Sequence, residues 1–317
     1  MNSRPLIWLM VLAGIGLPCA AAGQGSASDP PRTPWGDPDL QGFWNNNSAV
    51  PLERPEDLGE RDTLTAEEVE QRAERRHNLL FGRREGDTGS YNEFWFEHGQ
   101  DNNRASLIVD PPDGRLPLTP EARKDLMASM GRLFRALGGP ASHMDLSLWD
   151  RCLTRSMPGA MIPSSYNANI QILQAPGHVA LLVEMIHDVR IIPLDGRPRP
   201  PEGLRQWLGA SRGHWDGNTL VVETTHFTEK GKQRGIGRTV FGIGANLRLT
   251  ERFTRVSEDT IDYSFTVEDD SMFLQPWTAA IPMNRVAGPL FEYACHEGNY
   301  AMANMLRGAR LNEQSAP

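Results

Sequence analysis

Several side chains capable of proton transfer lie close together in the segment 183–190, VEMIHDVR. Glu184, His187, Asp188 and Arg190 interrupt an otherwise apolar stretch, and a turn between them would let them converge. A histidine beside carboxylates and an arginine can transfer protons and stabilise an anion. We therefore predict His187 as general acid or base, oriented by Glu184, with Arg190 holding developing negative charge. The alternative is an ion pair that only stiffens a hairpin end.

A second group of polar side chains lies near the end of the chain, in the segment 292–299, EYACHEGN. His296 and Glu297 stand where an extended segment gives way to the last helix, and such junctions often carry functional residues. We predict them as a second proton-handling pair. The alternative is a structural role, because a glutamate near a helix N-terminus is favoured by the helix dipole.

Four further residues are candidates for substrate binding. Tyr166 and Asn167 offer a hydroxyl and an amide that can orient a substrate oxygen, although turns use the same residue types. Glu223 follows Val221 on one strand face, and apolar surroundings would raise its pKa. Trp215 could form a wall of the site, although tryptophans more often pack in the core.

Sequence motifs for cofactors and metals are missing from the chain. It has no H-E-x-x-H or C-x-x-C-H motif and no phosphate-binding glycine loop. We therefore predict neither a cofactor nor a bound metal. A weaker alternative is a mononuclear metal site formed by His187, Glu184 and His296, because ligands can converge in the fold from distant positions.

The N-terminal residues have the pattern of an export signal. Arg4 precedes an apolar run at 6–17, and small residues follow at 20–23. The run is too short for a membrane-spanning helix. We predict a signal peptide at 1–22, cleaved after Ala22, with no stable membrane anchor and a periplasmic or secreted mature protein. Residues 23–34 are predicted to form a flexible leader.

Two cysteines, Cys152 and Cys295, follow the predicted signal peptide. In an oxidising compartment such a pair is a disulfide candidate. The alternative is two separate buried thiols.

The charge balance restricts the class of partner. A net charge of −8, with no concentrated basic stripe, argues against nucleic-acid binding. The predicted partner is a small molecule, and the sequence does not indicate an oligomeric state.

Helical patterns lie at the two ends of the predicted body. Thr65 and Glu68 form a capping-box pattern before a polar helix that runs to about Phe81. A second helix follows Thr119-Pro120 and carries an apolar stripe. A closing helix is predicted over 299–310.

From about residue 168 the apolar period changes to two, which is typical of strands. The patterns predict hairpins between 178–185 and 189–194 and between 247–256 and 260–268, and a third at the turn 215–218. The tryptophan-containing segment 35–44 is interpreted as an apolar clasp that docks the N-terminus onto the body.

Together these patterns predict a mainly β fold. We expect an antiparallel barrel or calycin-like body, or a sandwich, with two N-terminal helices and one C-terminal helix. Residues 35–317 are predicted to form a single β-rich domain whose helical N-terminal part covers about 63–138.

Several blocks of the chain are similar to one known pattern: PWGDPDLQGFW at 34–44, LIVDPPDGR at 107–115, EMIHDVRIIPLDGRP at 184–198 and EYACHEGNY at 292–300. With these blocks in this order, the chain resembles a large family of uncharacterised secreted bacterial proteins. The resemblance implies one family-length unit and adds weight to the polar blocks as site candidates. It implies no mechanism.

The functional hypothesis is a periplasmic, cofactor-independent lyase, isomerase or hydrolase that acts on a small, partly apolar organic molecule. The alternative is a lipocalin-like periplasmic carrier of an apolar ligand. Mutually hydrogen-bonded, buried His and Glu side chains would favour the enzyme, and a dry pocket with those groups on the surface would favour the carrier.

Overall fold

The computed structural model of the protein describes residues 30–82, 94, 96–97, 102–127, 139–231 and 244–315. The predicted signal peptide at 1–22, the leader up to residue 29 and most of the apolar stripe of the second predicted helix lie outside these residues. At the end of the predicted leader, Arg32 forms a β-bridge with Pro38 and donates a hydrogen bond of 2.8 Å to Oδ1 of Asn218.

The described chain is built on one antiparallel sheet, in the order β5-β4-β3-β1-β10-β9-β8-β7-β6, with β2 paired to β10. The mainly antiparallel β class, with three helices, is confirmed. The strands are β1 (Gly42–Asn45), β2 (Ile108–Asp110), β3 (Asn169–Ala175), β4 (His178–Val183), β5 (Val189–Pro193), β6 (Ala210–Asp216), β7 (Thr219–Thr225), β8 (Arg248–Arg255), β9 (Thr260–Glu268) and β10 (Trp277–Val286).

The sheet curls until its two edge strands, β5 and β6, meet through side chains. A Cβ added to Gly213 of β6 would lie 2.7 Å from Cδ2 of Leu194 and 2.8 Å from Cγ2 of Ile192, so a larger residue would force these side chains to shift. No backbone ladder joins β5 to β6 in the described part of the chain. The expected closed barrel is therefore wrong: the sheet is curved but open between these strands.

Strict alternation of side chains places the core inside this curved sheet. On β9, Ile261, Tyr263, Phe265 and Val267 are each at most 1 % exposed, whereas the intervening residues reach solvent in part or in full. Period-two patterning puts alternate side chains on opposite faces, so the β9 pattern in the sequence correctly identified the core face. All three predicted hairpins are formed, as β4–β5, β6–β7 and β8–β9.

The segment 35–44 has a larger role than a clasp. Its last residues continue into β1, which lies between β3 and β10 and so joins the two halves of the sheet. Trp44 is fully buried and donates its indole N–H to the carbonyl of Leu40 at 2.9 Å. Its burial makes the N-terminal segment part of the core.

Three helices are described. Helix α1 (Ala66–Phe81) has both hydrogen bonds of the predicted Thr65–Glu68 capping box, and its surface is mostly exposed. Helix α2 is described over 120–127, where Leu126 packs against the core. Helix α3 (Tyr300–Ser315) closes the chain. None of the described helices is long and apolar enough to cross a membrane.

A disulfide joins Cys152 to Cys295, which confirms the predicted pairing. The two Cα atoms are 5.7 Å apart, although 143 positions separate the residues in sequence. The bond therefore ties the segment before α3 to loops in the middle of the chain.

Loss of this bond is expected to destabilise the fold. Closing a loop of 143 residues limits the unfolded chain, and the chain-entropy model assigns such a loop about 5 kcal/mol. Urea denaturation of oxidised wild type should give a higher free energy of unfolding than the double variant Cys152→Ala/Cys295→Ala. Reductant should lower the free energy of unfolding of the wild type to that of the variant, and it should leave the value of the variant unchanged. A variant as stable as the oxidised protein would contradict this role.

Candidate functional site

Three chain segments meet around the disulfide and carry most of the predicted site residues. We call residues 147–169, 184–188 and 291–299 the loop cluster. Besides the disulfide, the backbone N–H of Phe291 donates to Oε1 of Glu184 at 3.0 Å, and Trp149 Nε1 donates to the Tyr293 hydroxyl at 3.2 Å. Glu184 of the first polar block therefore contacts Phe291, the residue directly before the second block.

The backbone of the loop cluster is strained. Six described non-glycine residues have a φ in the left-handed region, and five of them lie here: Cys152, Ser156, Asn167, Ile186 and His187. For the β-branched Ile186, with φ of 60°, this conformation is especially unfavourable. Such strain persists only where surrounding contacts fix the chain, and it is common at functional sites.

Glu184 does not orient His187. Its carboxylate is buried and accepts hydrogen bonds from Nδ2 of Asn169 at 2.6 Å and from the Phe291 N–H. His187 is exposed and meets Glu184 only through the backbone, where its N–H donates to the Glu184 carbonyl at 3.1 Å. The predicted His–Glu side-chain pair is therefore not formed, because the chain reversal at 184–188 leaves Glu184 buried and His187 exposed.

Arg190 also points away from His187, into the interior of the sheet. Its guanidinium forms a bidentate pair with Glu251 of β8, at 2.9 Å from Nη1 to Oε1 and 2.5 Å from Nη2 to Oε2. Ser211 and Thr224 also accept from Nη2, and the Tyr263 hydroxyl donates to Glu251 at 3.0 Å. Because Glu251 already neutralises Arg190, the predicted anion-stabilising role does not fit this geometry.

His296 and Glu297 lie exposed on the turn before α3. Neither side chain forms a hydrogen bond or ion pair with the described residues, so their role as a proton-handling pair stays a prediction. The metal alternative finds no support in the described chain, where His187, Glu184 and His296 do not form a group of ligands able to hold an ion.

The four substrate-binding candidates lie in different places. Tyr166 is half-buried in the loop cluster, 6.3 Å from the Trp149 ring, and Asn167 follows it in left-handed conformation. Glu223 is exposed and paired with Arg199 at 2.8 Å, so its expected apolar surroundings are absent. Trp215 packs against the core at the end of β6. Only Tyr166 and Asn167 are therefore near the predicted catalytic residues.

Asp188 is held by hydrogen bonds on the same turn as His187. Its Oδ2 accepts from the Thr154 hydroxyl at 2.8 Å and from the Arg155 N–H at 3.4 Å. Burial raises the pKa of Asp188, and the hydrogen bonds from Thr154 and Arg155 only partly oppose this effect. A carboxyl with a raised pKa keeps its proton to higher pH than a solvent-exposed aspartate does, which suits a proton donor.

Arg155 was missed by the sequence analysis. Its guanidinium lies over the Trp149 ring, 5.0 Å from the centroid, and no described residue accepts a hydrogen bond from it. Burial lowers the pKa of Arg155, with Tyr166, Tyr293 and Asp188 acting in the opposite direction. No local pattern indicates this environment, because the residues that define it are distant along the chain.

Glu97 was missed as well. Its carboxylate accepts from Nδ2 of Asn45 at 2.5 Å and from the N–H of Ala168 at 3.1 Å. Asn45 also donates to Asn169, which donates to Glu184, so two carboxylates are linked through two amides. Burial raises the pKa of Glu97, and the charge of Glu184 adds to this effect.

A cleft of about 840 Å³ opens beside the loop cluster, between the edge strands β5 and β6. His187, Asp188 and Leu153 line one side of it. The other walls are β5, the start of β6 and the loop 197–209, which contributes Trp207. The cleft is large enough for a small organic ligand, and it brings a histidine and a carboxyl together on one surface.

The chain matches no protein-family model, and no curated protein is significantly similar to it. The resemblance of its sequence blocks to a family of secreted proteins stays a prediction.

Breaking the Arg190–Glu251 pair is expected to be costly. Glu251→Gln leaves the Arg190 cation buried without a counter-charge, and such losses are about 3–5 kcal/mol. Urea denaturation measures this loss. Asp216→Asn is the matched control, because it breaks an exposed pair with Arg252 whose charges solvent screens. A similarly small loss in the free energy of unfolding in both variants would contradict the structural role of the buried pair.

Asp188 is expected to make stability depend on pH. Because burial raises its pKa, the folded protein holds this proton more tightly than the unfolded chain does. Relative to Asp188→Asn, the wild type should be most stable below the ordinary aspartate pKa and lose that advantage as pH rises through the raised pKa. Urea denaturation of both proteins from about pH 3 to about pH 8 measures the difference. A difference independent of pH would contradict the raised pKa.

Proposed function

We propose that the protein is a cofactor-independent enzyme that performs acid–base chemistry on a small, partly apolar organic molecule bound in the β5–β6 cleft. One observation carries the proposal: His187 and Asp188 are adjacent on the cleft wall, and burial raises the pKa of Asp188. Two proton-handling groups facing one cavity are the minimum equipment for lyase, isomerase or hydrolase chemistry.

The two groups have complementary roles in this proposal. Asp188, with its raised pKa, donates a proton to a substrate oxygen or carbon. The exposed His187 takes a proton from the substrate or from water, the role in which histidine is used most often. Asp188 thereby replaces Glu184 as the carboxyl partner of His187, and Glu184 instead holds the C-terminal segment through Phe291.

The surroundings fit a site that must hold its groups in fixed positions. Thr154 is almost fully buried and holds one oxygen of Asp188, while His187 is fixed by a left-handed backbone. The disulfide at Cys152 lies two residues from Thr154 and limits movement of this wall. Fixed orientation of reacting groups is a large part of enzymatic rate enhancement.

We also propose that the protein works outside the cytoplasm. A disulfide that joins distant segments is stable in an oxidising compartment and rare in the cytosol. The predicted export signal at 1–22 points to the same compartment. As expected for a calycin-like body, the proposed ligand binds where the curved sheet opens.

A ligand carrier is the second candidate. It is favoured by the exposed positions of His187, His296 and Glu297 and by the surface of β5. Val189 and Ile191 line the cleft and are 51 % and 58 % exposed. Apolar side chains on the wall of an open cleft bind the apolar part of a ligand without any chemistry.

The proposal is tested by comparing metabolite mixtures before and after incubation with purified protein. Small molecules that wild type consumes should persist with Asp188→Asn or His187→Gln, because loss of one proton-transfer group costs about 10²–10⁴-fold in rate. His214→Gln is the matched control, since His214 is an exposed β6 histidine outside the cleft lining. Mass spectrometry follows each compound.

Equal turnover in wild type, Asp188→Asn and His187→Gln would contradict the assignment. If wild type binds a compound from the mixture and returns it unchanged, the carrier is favoured.

A further inference from the structure

The cleft carries positive charge that the described residues do not neutralise. Four arginines line it, together with His187, and Asp188 is the one carboxylate among its lining residues. This composition is opposite to that of the whole chain, which has a net charge of −8. A concentration of one charge in a cleft attracts ligands of the opposite charge.

Two of these arginines are already paired with carboxylates. Arg190 is neutralised by Glu251, and Arg197 forms an exposed pair with Asp195 at 2.5 Å. They fix the walls of the cleft and add little net charge.

The other two arginines, Arg205 and Arg212, keep their full charge. Arg205 donates to the carbonyls of Phe227 and Ala245, at 3.3 and 3.2 Å. Arg212 donates to three carbonyls, among them that of Pro198 at 2.6 Å. A carbonyl is neutral, so these bonds hold the guanidinium groups in place without cancelling their charge.

The arrangement of arginines also shows crowding of like charge. Burial lowers the pKa of Arg212, the neighbouring Arg199 and Arg197 lower it further, and Asp195 opposes them in part. Crowded cations are stabilised when an anion binds among them.

The apolar surface of the cleft complements this charge. Ile191 and Val189 project from the outer face of β5, and the half-buried Trp207 lies in the facing loop. A ligand that fits both features has an apolar body and one anionic group.

We infer that the cleft binds a small organic anion, with its carboxylate or sulfonate near Arg205 and Arg212 and its apolar body against Ile191 and Trp207. This inference rests on the proposed function in using the same cleft, and it names the substrate class of that enzyme. A free inorganic anion would not use the apolar surface, and a neutral lipid would not use the arginines.

The test uses two fluorescent probes of nearly equal shape, 1-anilinonaphthalene-8-sulfonate and the uncharged N-phenyl-1-naphthylamine. Fluorescence titration of wild type should show tighter binding of the sulfonate. Ile191→Glu places a negative charge in the cleft and should weaken sulfonate binding about tenfold relative to Ile191→Gln, by like-charge repulsion at close range. The two variants should bind the uncharged probe equally.

Leu173 provides the matched control, because it is an exposed residue of β3 outside the cleft lining and 46 % exposed. Leu173→Glu and Leu173→Gln should bind the sulfonate as wild type does. The inference is overturned if Ile191→Glu and Ile191→Gln bind the sulfonate equally, or if Leu173→Glu weakens binding as much as Ile191→Glu does.

Probe binding does not depend on turnover, so the two proposals fail separately. Charge-dependent binding of the sulfonate without any turnover contradicts the enzyme and keeps the anion site. Turnover combined with charge-independent probe binding contradicts the anion site and keeps the enzyme.

Discussion

The buried ion pair between Arg190 and Glu251 is the constraint on which the curvature of the sheet depends. Arg190 belongs to the edge strand β5, and Glu251 to β8, on the far side of the sheet order. Ser211 of β6 and Thr224 of β7 bond the same guanidinium, so one side chain holds four strands together. A buried pair adds little net stability compared with apolar packing, but an unpaired charge there is unfavourable. The pair therefore favours the curled sheet, in which Arg190 of β5 reaches β6, β7 and β8.

The cleft follows from how that curl ends. β5 and β6 meet through Gly213 and the side chains of Ile192 and Leu194, yet no backbone ladder joins them. The space beside this contact is walled by the loop 197–209 and by the turn that carries His187. The disulfide and the Glu184–Phe291 hydrogen bond hold that turn from the other side. A rigid scaffold thus supports a polar surface at the point where the sheet stays open.

Much of the fold was predictable because local pattern decides it. The alternation over 260–268 predicted the buried face of β9, and Thr65 with Glu68 predicted the start of α1. The cysteine pair was identified from the compartment that the N-terminal residues predict. Sheet order was not predictable, since β1 pairs with β3 and β10, which lie more than a hundred residues further along.

For the site, the sequence by itself determined which blocks carry polar groups. The structure brought Glu184 of the first block to Phe291, directly before the second block. Only the tertiary structure decided which side chains share a surface. Arg190 faces inward and pairs with Glu251. The two residues are 61 positions apart in sequence, so no local pattern contains that contact. Arg155 and Glu97 owe their environments to equally distant residues. Residue types are local properties, whereas burial, pairing and pKa depend on which distant segments the folded chain brings into contact.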